Sequence, residues 1–212
     1  MTNTSVRRRT LAALLDPLVT SAGAQTVPSG TGQPGRPDPA RVRAGTYEVD
    51  TLHTQVVWSV NHMGISILQG MFGASGGTLT IDPADPSAAE LDVTFEIDQL
   101  GVTHPAFAQH LRSSDFFDVE RHPTARFAAT SVTSSDGNRA TMAGNVTIKD
   151  RTRPVTIDVE FVGAGMNPMT EQLNIGFDGR TTIRRSDFGL GLAVPLVSDE
   201  VDIVIRAAFG AT

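Results

Sequence analysis

Apolar and polar residues alternate strictly along several stretches of the chain beyond residue 45. The clearest are residues 91–98, LDVTFEID, and residues 155–161, VTIDVEF. Because successive side chains of a β-strand point to opposite faces, a period of two predicts strands with one apolar face. Further strands are predicted at residues 55–61, 67–81, 125–133, 139–149 and 173–183, and another begins at Val201.

Turn-forming residues separate these strands. Residues 82–86, DPADP, join two of them, and residues 149–152, KDRT, join two others. Asp136-Gly137-Asn138 predicts a tight hairpin tip, because Gly and Asn tolerate positive φ. Roughly eight strands at hairpin spacing predict an all-β fold, a single antiparallel eight-stranded barrel. Side chains fill a barrel of this size, or it holds one small ligand.

One segment breaks the period of two. Residues 106–113, AFAQHLRS, follow His104-Pro105 and place Phe107, His110 and Leu111 on one helical face. We therefore predict a short helix between two strands, positioned near one mouth of the barrel.

The first 44 residues differ from the rest in composition. Arg7, Arg8 and Arg9 precede the apolar run Leu11–Leu15, and small residues end at Ala24, which is the order of a secretory or twin-arginine export signal. Asp16-Pro17 directly follows that run and weakens such a signal, so a disordered tail or an overlong gene start is the alternative. Residues 28–39 are rich in Gly and Pro and predict a linker.

These features predict two parts of the chain. Residues 1–44 form a disordered N-terminal segment with a candidate export signal and a linker, and residues 45–212 form the barrel domain. A periplasmic or extracellular location is favoured, with the cytoplasm as the alternative. No apolar run approaches the roughly 20 residues that a membrane-spanning helix needs, so no stable membrane insertion is expected.

Charge and residue types narrow the function further. The net charge is −6, and residues 1–43 hold six arginines against two aspartates, so the acidic excess lies in the barrel domain. Such a domain lacks the basic surface that binds nucleic acid.

The chain has no cysteine, which excludes disulfides and thiolate metal sites. No metal site is predicted, because no two histidines stand at i+2 or i+4. The five histidines are His53, His62, His104, His110 and His122.

Four groups of motifs match a known family. They are HTQVVWSVNHMG at residues 53–64 with GMF at 70–72; HLRSSDFFDV at 110–119, continuing to Phe127; GNVTI at 144–148 with TRPVT at 152–156; and IRR at 183–185 with DFG at 187–189 and DEV at 199–201. In order and spacing they resemble the YceI-like, polyisoprenoid-binding family. The resemblance implies a lipocalin-like barrel whose apolar interior holds a long isoprenoid or similar lipid, and it implies no shared catalytic motif.

We therefore predict a protein that binds, transports or stores an isoprenoid or similar long apolar lipid in the barrel lumen. No catalytic residue is predicted, and no cofactor other than a bound isoprenoid or quinone-like lipid. His62 is a candidate donor to a ligand head group. The alternative to a ligand cavity is a filled barrel, in which the aromatic residues only pack the core. The candidate ligand-binding residues are Trp58, Val60, His62, Phe72, Phe95, Leu111, Phe116, Phe117, Phe127 and Phe188.

Other functions stay open at this point. An exported scavenger of hydrophobic compounds would use the same barrel. An enzyme acting on a small apolar substrate would need a histidine or carboxylate in the pocket with a displaced pKa. Phe116 and Phe117 either anchor the end of the helix or line the pocket entrance. The sequence also leaves a homodimer open.

Overall fold

The computed structural model describes residues 32–134 and 136–212, and the candidate export signal lies outside these residues. The described residues form nine strands and one α-helix. The strands are β1 Gly45–Val49, β2 Gln55–His62, β3 Ser66–Ile81, β4 Glu90–Gly101, β5 Thr124–Ser134, β6 Arg139–Ile148, β7 Arg151–Met166, β8 Leu173–Arg184 and β9 Glu200–Ala211; the helix is α1 Pro105–Arg112.

The strands close into an antiparallel barrel with eight strand positions. Each strand from β2 to β9 pairs with its neighbour in the chain, and β9 returns to pair with β2. β1 and β2 share one position, because both lie between β3 and β9. β1 pairs with residues 78–81 of β3, and β2 pairs with residues 66–73. The predicted all-β, eight-stranded barrel is confirmed, with its first strand position split in two.

Thr54 bridges the split between β1 and β2. Its hydroxyl donates to the Ala208 carbonyl and accepts from the Ala208 amide, both at 3.0 Å. Its own carbonyl accepts from the Ala74 amide at 3.1 Å. Only 3% of Thr54 is exposed, so these bonds satisfy backbone groups that would otherwise be buried without partners. One side chain thereby restores the hydrogen bonding that the interrupted strand loses.

The two ends of the barrel differ. We call the end that carries α1 the helix end; it also carries the β2–β3 turn and the loop from residue 185 to 199. The hairpin end carries the β3–β4 connection, the β5–β6 hairpin and the β7–β8 turn. The hairpin tip contains Gly137 at a φ of 77°, as its sequence predicts.

The predicted helix is confirmed at the helix end. Pro105 occupies its first turn, and His104 caps it by accepting the Ala106 amide on Nδ1 at 3.2 Å. Ala108 and Leu111 are buried against the barrel. The helix therefore covers this end with an apolar face.

An N-terminal segment, residues 34–42, lies along β7 at the hairpin end; we call it the strap. The Arg36 amide donates to the Ala164 carbonyl at 3.1 Å, and the Ala164 amide returns a bond to Arg36 at 3.0 Å. A Cβ at Gly165 would lie 2.4 Å from the Pro34 carbonyl oxygen, so the glycine allows this close approach. Part of the predicted linker thus contacts the barrel, and the domain boundary at residues 44 and 45 stays a prediction.

Candidate ligand-binding cavity

An internal cavity of about 340 Å³ runs along the inside of the barrel. This volume lies within the range of small-molecule sites, about 300–1,000 Å³. Inward-facing side chains at every second position form its wall. They include Leu91, Val93, Phe95 and Ile97 of β4, Val155, Ile157, Val159 and Phe161 of β7, and Ile203, Ile205, Ala207 and Phe209 of β9.

The cavity reaches the hairpin end and is closed at the helix end. At the hairpin end its lining includes Pro39 and Val42 of the strap, together with Ser134 and Asn138. At the helix end, no described residue from 98 to 124 or from 184 to 202 lines it. A ligand would therefore enter at the hairpin end, opposite α1.

A cluster of apolar side chains closes the helix end; we call it the helix-end cluster. Phe72 joins the cavity wall to this cluster, with its ring centroid 5.6 Å from that of Phe117 in a T-shaped contact. Lys149 Nζ donates to the Phe116 carbonyl at 2.9 Å and ties the segment after α1 to the β6–β7 turn. The buried members of the cluster are Trp58, Val60, Leu100, Ala108, Leu111 and Val201.

The cavity brings together three of the ten residues proposed from the sequence. Phe72, Phe95 and Phe127 line it. Five others, Trp58, Val60, Leu111, Phe116 and Phe117, belong to the helix-end cluster or pack against it. His62 lies at the end of β2, in a bridge to Val197, and Phe188 is buried in a short turn before β9.

Aliphatic residues make up most of the wall, and the two aliphatic residues proposed from the sequence, Val60 and Leu111, are not among them. The alternation at residues 155–161 could have identified these aliphatic residues, since Val155, Ile157 and Val159 line the cavity on the same face of β7 as Phe161. Gly179 is also inward-facing, and a Cβ there would lie 3.2 Å from both Ile157 and Ile205. The absence of a Cβ allows those two side chains to approach the Gly179 backbone closely.

Two groups of charged residues have displaced pKa values, and both carboxylates lie outside the cavity wall. A hydrogen bond from Arg126 to Asp92, with Nε 2.7 Å from Oδ1, lowers the pKa of Asp92 and raises that of Arg126. Hydrogen bonds from the amide and hydroxyl of Ser186 lower the pKa of Asp199. The first group joins β4 to β5, and the second lies in the loop between β8 and β9.

Arg185 lies beside Asp199 and is 7% exposed. It donates to the carbonyls of Ser198, Leu192 and Val197 at 2.8–2.9 Å, and also to that of Leu190. Burial lowers the pKa of Arg185, although a guanidinium keeps its charge in proteins. This side chain holds the loop that joins β8 to β9.

Among the described residues, histidines and carboxylates do not gather inside the barrel, where Asp178 is the single carboxylate of the lining. No histidine lines the cavity within the described ranges. Over the same residues, no group of three or more His, Asp or Glu side chains is arranged to hold a metal ion. In the described part of the chain, no helix has the length and apolar character to cross a membrane.

Comparison with known proteins gives a consistent match over the barrel. Residues 47–209 match the family of YceI-like domains. A UPF0312 protein of Pseudomonas aeruginosa is 34% identical over 164 residues, covering 76% of this chain and 85% of that protein. A UPF0312 protein of Vibrio cholerae is 33% identical over 154 residues, covering 72% and 81%.

Solved structures share the architecture. The YCEI protein of Campylobacter jejuni superimposes with a TM-score of 0.61 at 26% identity, covering 72% of this chain and 90% of that one. BcnA of Burkholderia cenocepacia gives a TM-score of 0.65 at 24% identity over 76% and 98%. A polyisoprenoid-binding domain from Saccharophagus degradans gives 0.60 at 8% identity over 78% and 98%, which shows a shared fold.

Proposed function

The chain belongs to the YceI-like family, and on that premise we propose that it binds a long apolar lipid, such as an isoprenoid, inside the barrel. The observation that carries this proposal is the cavity, with its continuous wall of inward-facing apolar side chains. A binding protein needs such a wall, whereas a filled barrel would leave no space for a chain.

The apolar wall accounts for affinity without specific polar contacts. Each CH₂ group that leaves water contributes about 0.8 kcal/mol, so a chain of several isoprene units gains enough to offset the cost of ordering it. The fold shared with a polyisoprenoid-binding domain supports the same kind of ligand. The lining residues extend from Pro39 of the strap to Phe72 beside the helix-end cluster, and a linear chain could contact both.

A matched pair of substitutions on neighbouring positions tests the proposal. Ala140 lines the cavity, and Thr141, the next residue of β6, is exposed. We expect Ala140→Trp to obstruct the lumen near its hairpin end and weaken binding of all-trans-geranylgeraniol at least tenfold, while Thr141→Trp leaves binding unchanged. Native mass spectrometry of delipidated protein with the added prenol measures both, and thermal unfolding checks the fold of each variant.

Mass spectrometry of organic extracts from the protein purified from its own organism would identify the natural ligand. A one-to-one complex with an apolar lipid is the expected result. If wild type fails to bind the prenol, or both tryptophan variants bind it as well as wild type does, the lumen is not the binding site and the proposal is wrong.

A further inference from the structure

Trp58 carries a buried hydrogen-bond donor that the described residues leave without an acceptor. Its side chain is 7% exposed, and Nε1 has no hydrogen-bond partner among those residues. Buried tryptophans usually place their N–H against an acceptor, because an unpaired donor loses its bond to water on folding. The buried residues around it, including Val60, Leu111 and Val201, have no acceptor in their side chains.

Trp58 lies next to the closed end of the cavity, in the helix-end cluster. Trp58 follows Val56, a cavity residue, on the same inward face of β2, and is displaced from it by about 7 Å along the strand. Its partner on β9 is Ile203, which also lines the cavity. The indole therefore belongs to the layer directly beyond the end of the lining.

The position of the indole is set by close contacts. Gly70 is its partner on β3, and a Cβ there would lie 2.3 Å from Cζ2 and 2.6 Å from Cε2 of the indole. The same Cβ position lies 2.8 Å from Val102. The ring thus lies directly on the Gly70 backbone, so little space is left for it to move.

We propose that the bound lipid carries a neutral hydrogen-bond acceptor, such as a carbonyl oxygen, at the end that enters first, and that Trp58 Nε1 donates to it. This inference rests on the proposed function. A neutral acceptor fits, because a carboxylate or phosphate would be buried among apolar side chains without a countercharge. The class is a long-chain carbonyl compound, and a pure hydrocarbon would leave the N–H unsatisfied.

Binding of a ketone, compared with binding of its hydrocarbon analogue, tests the role of Trp58 separately from the binding of lipid in the barrel. Farnesylacetone presents one carbonyl on three isoprene units, and the analogue has CH₂ in place of the carbonyl. Trp58 is the single tryptophan, so the protein gives one indole N–H signal in a ¹H–¹⁵N spectrum. We expect the ketone to move this signal downfield and to bind about tenfold more tightly than the analogue.

Trp58→Phe removes the donor and keeps an apolar ring. It should bind the two probes equally, with affinity measured by native mass spectrometry. If this variant does not fold, the two-probe comparison on wild type still decides. The proposal would be overturned if wild type bound both probes with equal affinity, or if the ketone left the indole signal in place. Either result would also be obtained if the N–H were already bonded to internal water. Binding of neither probe would overturn the proposed function, and this inference with it.

Discussion

Arg185 illustrates how one buried cation organises a long loop. Its guanidinium donates four hydrogen bonds, all to backbone carbonyls between residues 190 and 198, so the side chain replaces the regular pairing that this loop lacks. A buried charge is costly unless its donors are satisfied, and here they are. The arrangement makes the loop dependent on a single residue.

Replacing Arg185 with Met should lower the free energy of unfolding by about 3 kcal/mol, because several buried carbonyls lose their donor. Urea unfolding followed by circular dichroism measures the change. Arg184→Met is the matched control: its side chain is largely exposed and lies 3.4 Å from Asp199. A surface pair contributes less than about 1 kcal/mol. Equal losses for the two variants would contradict the role given to Arg185.

Asp199 predicts a dependence of stability on pH. Its pKa in the folded protein is lowered by Ser186, so it lies below the unfolded value of about 3.9. The stabilisation is present above that value and is lost as the pH falls through the folded pKa. Asp199→Asn should therefore lower the Tm at pH 7, and the difference from wild type should shrink below about pH 4.

Thermal scans between pH 3 and pH 7 check this expectation. Asp187→Asn, an exposed residue of the same loop, serves as the control at pH 7 and should change the Tm little. A difference between Asp199→Asn and wild type that grows towards low pH would show that the carboxylate stabilises the protein by another route.

At the residue scale, the alternation groups residues by face, and it gives neither which face of a strand points inward nor the height of a residue along the barrel. Phe95 and Phe127, two of the candidates from the sequence, line the cavity. Trp58 and Leu111 also face inward, yet they lie where α1 closes the barrel. Alternation defines the face of a residue, whereas its height along the barrel depends on strand stagger, which the sequence does not contain.

The strap is the element whose placement depends most on small residues. Its backbone lies on Gly163 and Gly165 of β7, where a Cβ would come within 2.9 Å and 2.4 Å of strap carbonyl oxygens. Pro39 and Val42, near its other end, line the cavity. Side chains at the two glycines would therefore move the strap away from the hairpin end.

Gly165→Ala should displace the strap without unfolding the barrel. Release would expose the bond after Arg41 to trypsin, and we expect cleavage there to be several times faster than in wild type. Gly176→Ala is the control, since its Cβ would meet its nearest neighbour at 3.7 Å. Mass spectrometry of the early digestion products measures the rate of cleavage after Arg41 in each variant. Unchanged cleavage after Arg41 in Gly165→Ala would show that the strap adapts to the extra methyl group.

Most elements could be predicted from their patterns, and the exceptions have physical reasons. β1 has five residues, too few for alternation to stand out, and the sequence prediction does not include it. β7 extends to Met166, beyond the predicted end at residue 161, through a glycine-containing stretch that supports the strap. Contacts from another segment, rather than local propensity, determine that extension.

At the scale of the whole molecule, the barrel closes unevenly. Seven strand positions are continuous, and the eighth is shared by β1 and β2. At the hairpin end, β1 is held by four residue pairs with β3 and three with β9. β8 and β9, by contrast, pair over eleven positions. Local opening should therefore begin at β1, since stability varies with the number of contacts that an element makes.

Hydrogen exchange tests this order. We expect the amides of β1 to exchange at least tenfold faster than those of β8 and β9. Binding of a lipid should slow exchange throughout the barrel, because a ligand that binds only the folded state stabilises it. Protection in β1 equal to that in β8 would show that the barrel opens as a single unit.

The split strand position also makes the barrel suitable for circular permutation. Tyr47 of β1 pairs with Ala211 of β9, so the start and the end of the barrel lie side by side. A short linker from residue 212 to residue 45 would make β9 and β1 a hairpin. New termini at the exposed Leu52, in the existing gap, would interrupt no strand. The natural gap would then separate the first and last strands of a permuted barrel, which keeps the wall that the strands contribute and lacks Pro39 and Val42 of the strap.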